Sequence, residues 1–312
     1  MLYSTTQMHI PDGFLTIIVS LFCWLITIGL LAVAVRKTNK ILGEKQVPLM
    51  GIMAAFIFAA QMLNFPVAGG TSGHLLGGAL AAIVLGPWAA MLVMTAVIAV
   101  QGLLFQDGGL IVMGANILNM GLLTAIVGYG LYRIASDKST NTRLIAAGTA
   151  AWLSVMTGAL ATALQLWLSG TARLDIVVPA MLGVHVLIGI GEALITVAAL
   201  AFIFRTRPDL LDESSASMQG SRAWIYPGVL VTFLVVLLSP LASTSPDGLE
   251  RVAKDLGFLR TGSPLPFHVI PNYTFPILGN TPLATILAGA LGVLVVLILG
   301  WLIGRALRTR NS

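Results

Sequence analysis

The sequence predicts an all-α polytopic membrane protein with about nine transmembrane segments, N-terminus outside and C-terminus inside. Three observations predict it. Hydrophobic residues make up 57% of the 312 and charged residues only 9%, with a mean hydropathy of +0.94; a soluble domain carries roughly 25% charge. Apolar runs near the length that crosses a bilayer, about 20 helical residues, recur along the whole chain. The basic residues also fall unevenly between those runs, as orientation in a membrane requires.

Eight runs stand out, near residues 14–35, 48–64, 88–105, 110–133, 143–168, 178–204, 224–242 and 283–304. A ninth, shorter run at 74–86 follows a glycine-rich loop and ends at Gly86-Pro87; it spans a locally thin bilayer or forms half of a broken helix. With nine crossings, thirteen of the 17 basic residues face inward, from Arg36, Lys37, Lys40 and Lys45 through to Arg305, Arg308 and Arg310. Only Arg173, Arg251, Lys254 and Arg260 remain outside, and omitting the short run would place later loops on the wrong side. The net charge of +5 therefore sets topology and is no nucleic-acid signal. No Lys or Arg precedes the first run, so no cleavable signal is expected. The single cysteine, Cys23, excludes an intrachain disulfide and a multi-cysteine metal site.

Residues 206–223, rich in Pro, Ser, Asp and Arg, read as a cytoplasmic linker. Beyond it the pattern changes to one helix, an outer loop at 243–282 and a last helix.

Chemistry concentrates in two places. Met8-His9-Ile10-Pro11-Asp12-Gly13-Phe14 places a histidine directly after a methionine that can start translation. If Met8 is the first residue, its amine, the His9 backbone nitrogen and the His9 imidazole close fused five- and six-membered rings on one divalent ion, a set that suits Ni(II) or Cu(II). The second place is Gln61–Gly78, QMLNFPVAGGTSGHLLGG, where Pro66 and the glycines break helix. Non-helical backbone at membrane depth is tolerated where it is packed in protein or lines a cavity. Both segments fall on the outer side, so His74 can supply a fourth nitrogen to the plane begun by His9.

Other polar residues invite weaker readings. Gly70-Thr71-Ser72-Gly73 fits the GxSG pattern of intramembrane serine proteases, with His185 as a candidate base. His185 and Glu192 lie two turns apart in one span, where ionisable side chains are functional until shown otherwise; a packing pair is the simpler reading. Gln106–Gly109 makes a tight outer turn. Asn116 and Asn119 follow one turn apart on one face, as bridges between helices or as supports for metal-bound imidazoles. Asp12 can fold back over His9 through the Pro11–Gly13 turn. His268 reads as a surface histidine. No GxxxxGK[ST] motif is present, hence no P-loop for ATP.

MHIPDGF at 8–14, NFPVAGGTSGHLLGG at 64–78, GPW at 86–88 and LFQDGG at 104–109 together resemble the CbiM/NikM family, the metal-capture membrane components of cobalt and nickel energy-coupling factor (ECF) importers. The resemblance covers residues 8–205. It implies a transport component, not an enzyme, with metal ligands Met8 (amine), His9 and His74. Asp12, Asn64, Thr71, Ser72, Asp107, Asn116 and Asn119 are candidates for the surrounding support. It also implies a transported ion, Co(II) or Ni(II), with no other cofactor. The partners would be a CbiQ/NikQ-like coupling subunit, CbiO/NikO-like ATPases and lipid, in a prokaryotic plasma or inner membrane.

Ser245-Pro246-Asp247-Gly248-Leu249-Glu250 resembles the PDGLE motif of the small CbiN/NikN component, so residues 224–312 read as that component fused on. Residues 1–7 then read as a non-native extension, because an amide at Met8 would block the chelate. A stand-alone divalent metal permease is the competing expectation.

Overall fold

The computed structural model describes residues 9–44, 46–207, 210 and 225–308. Met8, the segment 1–7 and nearly all of the 206–223 linker lie outside the described residues. The chain is mostly helical. Among the described residues, six helical units are long and apolar enough to cross a membrane: α1 (Ile17–Ile41), α4 (Pro87–Phe105), the unit Met113–Arg133, α7 (Thr140–Leu168), α8 (Leu174–Thr206) and α11 (Pro282–Arg308). The unit Met113–Arg133 consists of α5 (Met113–Asn116), a π-helical stretch Ile117–Leu123 and α6 (Thr124–Arg133). Two shorter apolar helices, α2 (Gln46–Gln61) and α9 (Ile225–Leu238), accompany them.

The short run at 74–86 forms α3, Gly78–Leu85, of only eight residues. At 1.5 Å per residue it rises about 12 Å, against about 30 Å of hydrocarbon. All eight residues are buried. Thus α3 is a half-helix packed in protein, and Gly86, with φ of 78°, turns the chain directly into α4. The glycine-rich loop also departs from an all-α fold. Phe65–Val67 (β1) and Thr71–Gly73 (β2) form a two-stranded antiparallel hairpin that pairs Pro66 with Ser72.

Burial separates the helices by role. All of α3 and most of α2 and α4 are buried, whereas α1, α8 and α11 turn Ile18, Leu25, Leu194 and Ile298 outward. Apolar side chains on an outer face are stable in lipid. The last helix is no appendage, because α11 lies against α2 with Gly292 so close to the Phe58 ring that a Cβ would sit 2.1 Å from it. Small residues at such crossings let helix backbones approach.

One end of the bundle gathers the chemistry. There the segment 9–16 meets the turn 106–112, the α7–α8 connection and the loop between α9 and α11. Asp12 and Ser263 form an isolated bridge, and Phe14 stacks edge-on against Phe258 at 5.1 Å. At the opposite end Arg308 pairs with Glu44, and the Arg143 guanidinium lies 4.6 Å over the Phe204 ring.

Candidate metal centre

His9 is carried by a chain segment with no secondary structure of its own, so other elements must hold it. They do so residue by residue. Asn116 clamps Ile10 in both directions, its Oδ1 accepting from the Ile10 N–H (3.0 Å) and its Nδ2 donating to the Ile10 carbonyl (3.0 Å). The Gly109 N–H donates to that carbonyl at 2.9 Å. Asp12 does not fold over His9. Its carboxylate accepts from the N–H groups of Leu110, Ile111 and Val112 at 3.0, 2.9 and 3.2 Å, anchoring the segment to the start of α5. Three N–H groups at a helix start suit a carboxylate better than they suit an exposed turn.

The turn at 106–109 is shaped for this segment. Gly108 has φ of 101°, and a Cβ on it would lie 2.9 Å from His9 Cβ; at Gly109 a Cβ would lie 2.2 Å from Asp12 Oδ1. Only glycine lets the two backbones meet here.

The His9 ring is 2% exposed, and its Nδ1 lies 2.9 Å from the Asp107 carbonyl oxygen. A carbonyl only accepts, so Nδ1 carries the proton and Nε2 the lone pair. That Nε2 is buried and has no hydrogen-bond partner among the described residues. Buried polar atoms are nearly always satisfied, so this orphan calls for a ligand. His74 lies edge-on to it, with ring centroids 5.9 Å apart at 75°. His74 Nδ1 is 3.0 Å from the Leu75 carbonyl, which likewise assigns the lone pair to Nε2.

Both rings face one cavity of about 60 Å³, lined also by Asn116, Asn119, His185 and Asp247. This is room for a small ion and its donors, since one water needs roughly 10–15 Å³ on the same measure. A six-membered ring with the His9 amide closes through Nδ1, the atom now donating to Asp107. That chelate therefore requires the ring to turn about Cβ–Cγ.

The structure gathers Asp107, Asn116 and Asn119 around the two histidines. Asn119 lines the cavity and is locked to α7, exchanging bonds with Gln165 at 2.7 and 2.8 Å and donating to Thr162. The π-helical stretch that carries it is a type of irregularity concentrated at functional sites. Asn64, Thr71 and Ser72 do not line the cavity. Ser72 instead binds the fused loop, donating its hydroxyl to the Ser245 carbonyl (2.7 Å) and its N–H to that of Pro246 (2.8 Å).

The same contacts correct two readings. Ser72 does not meet His185, whose Nδ1 donates to the Met181 carbonyl at 2.7 Å, so the Ser72–His185 pair does not form. Nor does His185 pair with Glu192; the Glu192 carboxylate accepts from the backbone N–H groups of Leu76 and Gly77. His268 is exposed, in keeping with a surface role.

Two participants escaped the sequence. The Tyr273 hydroxyl donates to Asp107 Oδ2 at 2.6 Å, and burial together with that carboxylate holds the phenol well above its usual range. No local pattern marks this tyrosine. Asp247 sits in the recognised PDGLE motif. It caps α10 (Gly248–Asp255) by accepting from the Glu250 N–H at 2.6 Å, and burial pushes its carboxyl well above the usual range. Gly248 packs directly on the His185 ring. The fused loop therefore closes over the cavity and touches both halves of the site.

A bundle of helices with apolar outer faces, holding a small, buried, imidazole-lined cavity at one end, defines a multi-pass membrane protein with a polar chamber inside it. Residues 9–210 match the family described as "Cobalt uptake substrate-specific transmembrane region", CbiM, and residues 221–309 match the PDGLE domain. The chain belongs to the CbiM family and carries a PDGLE domain behind it. Its relatives include an Archaeoglobus fulgidus protein provisionally named a fused nickel transport protein NikMN, 36% identical over 97% of this chain and 100% of the relative. The fused nickel transport protein NikMN of Rhodobacter capsulatus is 29% identical over 98% of this chain and 100% of its own length. A crystal structure of a truncated transition metal transporter superposes with a TM-score of 0.58 at 34% identity, covering 64% of this chain and 99% of the other.

Proposed function

We propose that this chain captures Co(II) or Ni(II) at the outer face of a prokaryotic cell membrane and passes it inward as part of an ECF importer. The observation that carries the reading is the pair of buried imidazoles facing one small cavity, their ring centroids 5.9 Å apart. Imidazole donors suit late first-row ions, and the affinity order rises from cobalt to nickel. The ligands are the Met8 amine, the His9 backbone nitrogen and imidazole, and His74; Asp107, Asn116 and Asn119 hold them in place. The names of the relatives, nickel and cobalt transport proteins, point the same way.

The amine takes part only if the working chain starts at Met8, which intact-mass measurement of the N-terminus checks directly; a mature chain beginning at Met1 would overturn that ligand. Nine passes, with α3 and the preceding loop making up one, put thirteen of the 17 basic residues inside. The capture unit is 8–205 and the accessory unit 224–312, joined by a cytoplasmic linker. The energy comes from a coupling subunit and ATPases of the CbiQ/NikQ and CbiO/NikO kinds.

The deciding experiment compares bound metal in purified wild type and His9→Ala after both ions are offered. Equal metal in the two would refute the site. Uptake by this chain in cells lacking the ATPases would replace the ECF reading with a stand-alone permease.

A further inference from the structure

Glu192 lies inside the apolar helix α8, is 0% exposed, and pairs with no cation among the described residues. A carboxylate in such a place is costly, and its retention needs a reason. Its contacts supply one. Oε2 accepts from the Leu76 N–H at 2.6 Å and Oε1 from the Gly77 N–H at 2.9 Å. The Leu76 N–H and the Leu75 carbonyl are the two ends of a single peptide group. That same carbonyl accepts from His74 Nδ1 at 3.0 Å. A continuous chain thus runs from the Glu192 carboxylate through one peptide plane to the imidazole of His74.

We infer that Glu192 is the positioning and tuning residue of His74, acting on its metal-binding nitrogen through the Leu75–Leu76 peptide. The charge-assisted bond at the N–H polarises the peptide and makes its carbonyl a stronger acceptor, as chained hydrogen bonds do. A stronger acceptor at Nδ1–H fixes the tautomer and makes Nε2 the better donor to a metal. Metal-bound histidines commonly receive this support from a carboxylate directly; here the carboxylate is one peptide removed. Two details fit. Gln61 Nε2 donates to the Leu76 carbonyl at 2.7 Å, so the next peptide is held as well. Glu192 also sits at the N-terminal end of α3, where the aligned peptide dipoles favour negative charge.

The inference rests on His74 being a metal ligand, and the test separates the two. Purified full-length chain is titrated with Ni(II), and both affinity and the visible d–d band of the bound ion are followed. Glu192→Gln keeps the size but replaces an accepting oxygen with a donor. It should weaken binding about 10- to 100-fold, the range for lost support of a ligand, and move the band to lower energy because the imidazole donates less. Glu192→Asp should fall between Gln and wild type, and it carries the test if the Gln variant does not fold. An unchanged band in the folded variants overturns the inference, even with weakened affinity, because that result marks a structural role alone. His74→Ala is the control: if it keeps the wild-type band, the site reading itself fails.

Discussion

The two histidines sit in one cavity but are held in opposite ways. His9 rides on an unstructured segment that is pinned from outside, by Asn116 on Ile10, by three N–H groups on Asp12 and by the Asp107 carbonyl on its ring. His74 lies in a loop strung between α2 and α3, and its ring bonds to the carbonyl of the next residue. The His9 segment has no helix or strand of its own to fix its path, so it needs anchors at several successive residues. A loop tied at both ends needs its peptide planes oriented, which Glu192 and Gln61 do. The lesson is that one arm is held by clamps on successive residues of the segment, and the other by distant side chains that orient the peptide planes of its loop.

That contrast can be broken most severely at the loop. His74→Ala should abolish stoichiometric Ni(II) binding in equilibrium titration while leaving the melting temperature of the metal-free protein within a few degrees. Next in size is Gly109→Ala. The added methyl meets Asp12, and overpacking of this kind costs about 1–3 kcal/mol, so Ni(II) affinity should fall roughly 5- to 150-fold while Gly43→Ala, at an exposed position with open space around it, changes nothing. If Gly109→Ala binds as wild type, the segment 9–12 is not clamped as described.

Asp12→Ala should act on the His9 arm alone, leaving the buried Val112 N–H without its acceptor at a cost of about 1–3 kcal/mol. Proteolysis or hydrogen exchange at residues 9–14 should then speed up, with the 62–77 loop unchanged; equal loosening of both would erase the distinction. Tyr273→Phe removes one bond to Asp107 and should weaken metal binding by tenfold or less, through the His9 side only.

The smallest effect is on pH. Burial holds the Asp247 carboxyl well above the ordinary carboxylate range. A group whose pKa is raised by folding gives stability that is full below its unfolded value and is lost as pH rises through the folded one. Protease protection of the 243–281 loop should therefore decline as pH climbs above the carboxylate range. Asp247→Asn, which keeps a good helix cap, should flatten that decline.

Much of this molecule was legible from the chain alone. Every long apolar run became a helix, because a span of that length has no other way to satisfy its backbone in lipid. His9 and His74 could be named because the glycines, prolines and asparagines around them are short local patterns. The rest was decided in three dimensions. Apolar composition left 74–86 open between a thin span and half of a broken helix; the chain spends its first residues there on the loop and leaves α3 eight residues long, the second of the two. Asp12 stands three residues from His9 but bonds residues about a hundred positions away. Glu192 shares a helix with His185 yet reaches Leu76, and Tyr273 reaches Asp107 from the far end of the chain. The sequence by itself determined which segments are apolar enough to enter a membrane and which side chains carry nitrogen donors, since hydropathy and residue chemistry are local properties. Only the tertiary structure decided what holds those side chains and what covers them. Hydrogen-bond partners are chosen by packing, and packing brings together residues that no spacing along the chain connects.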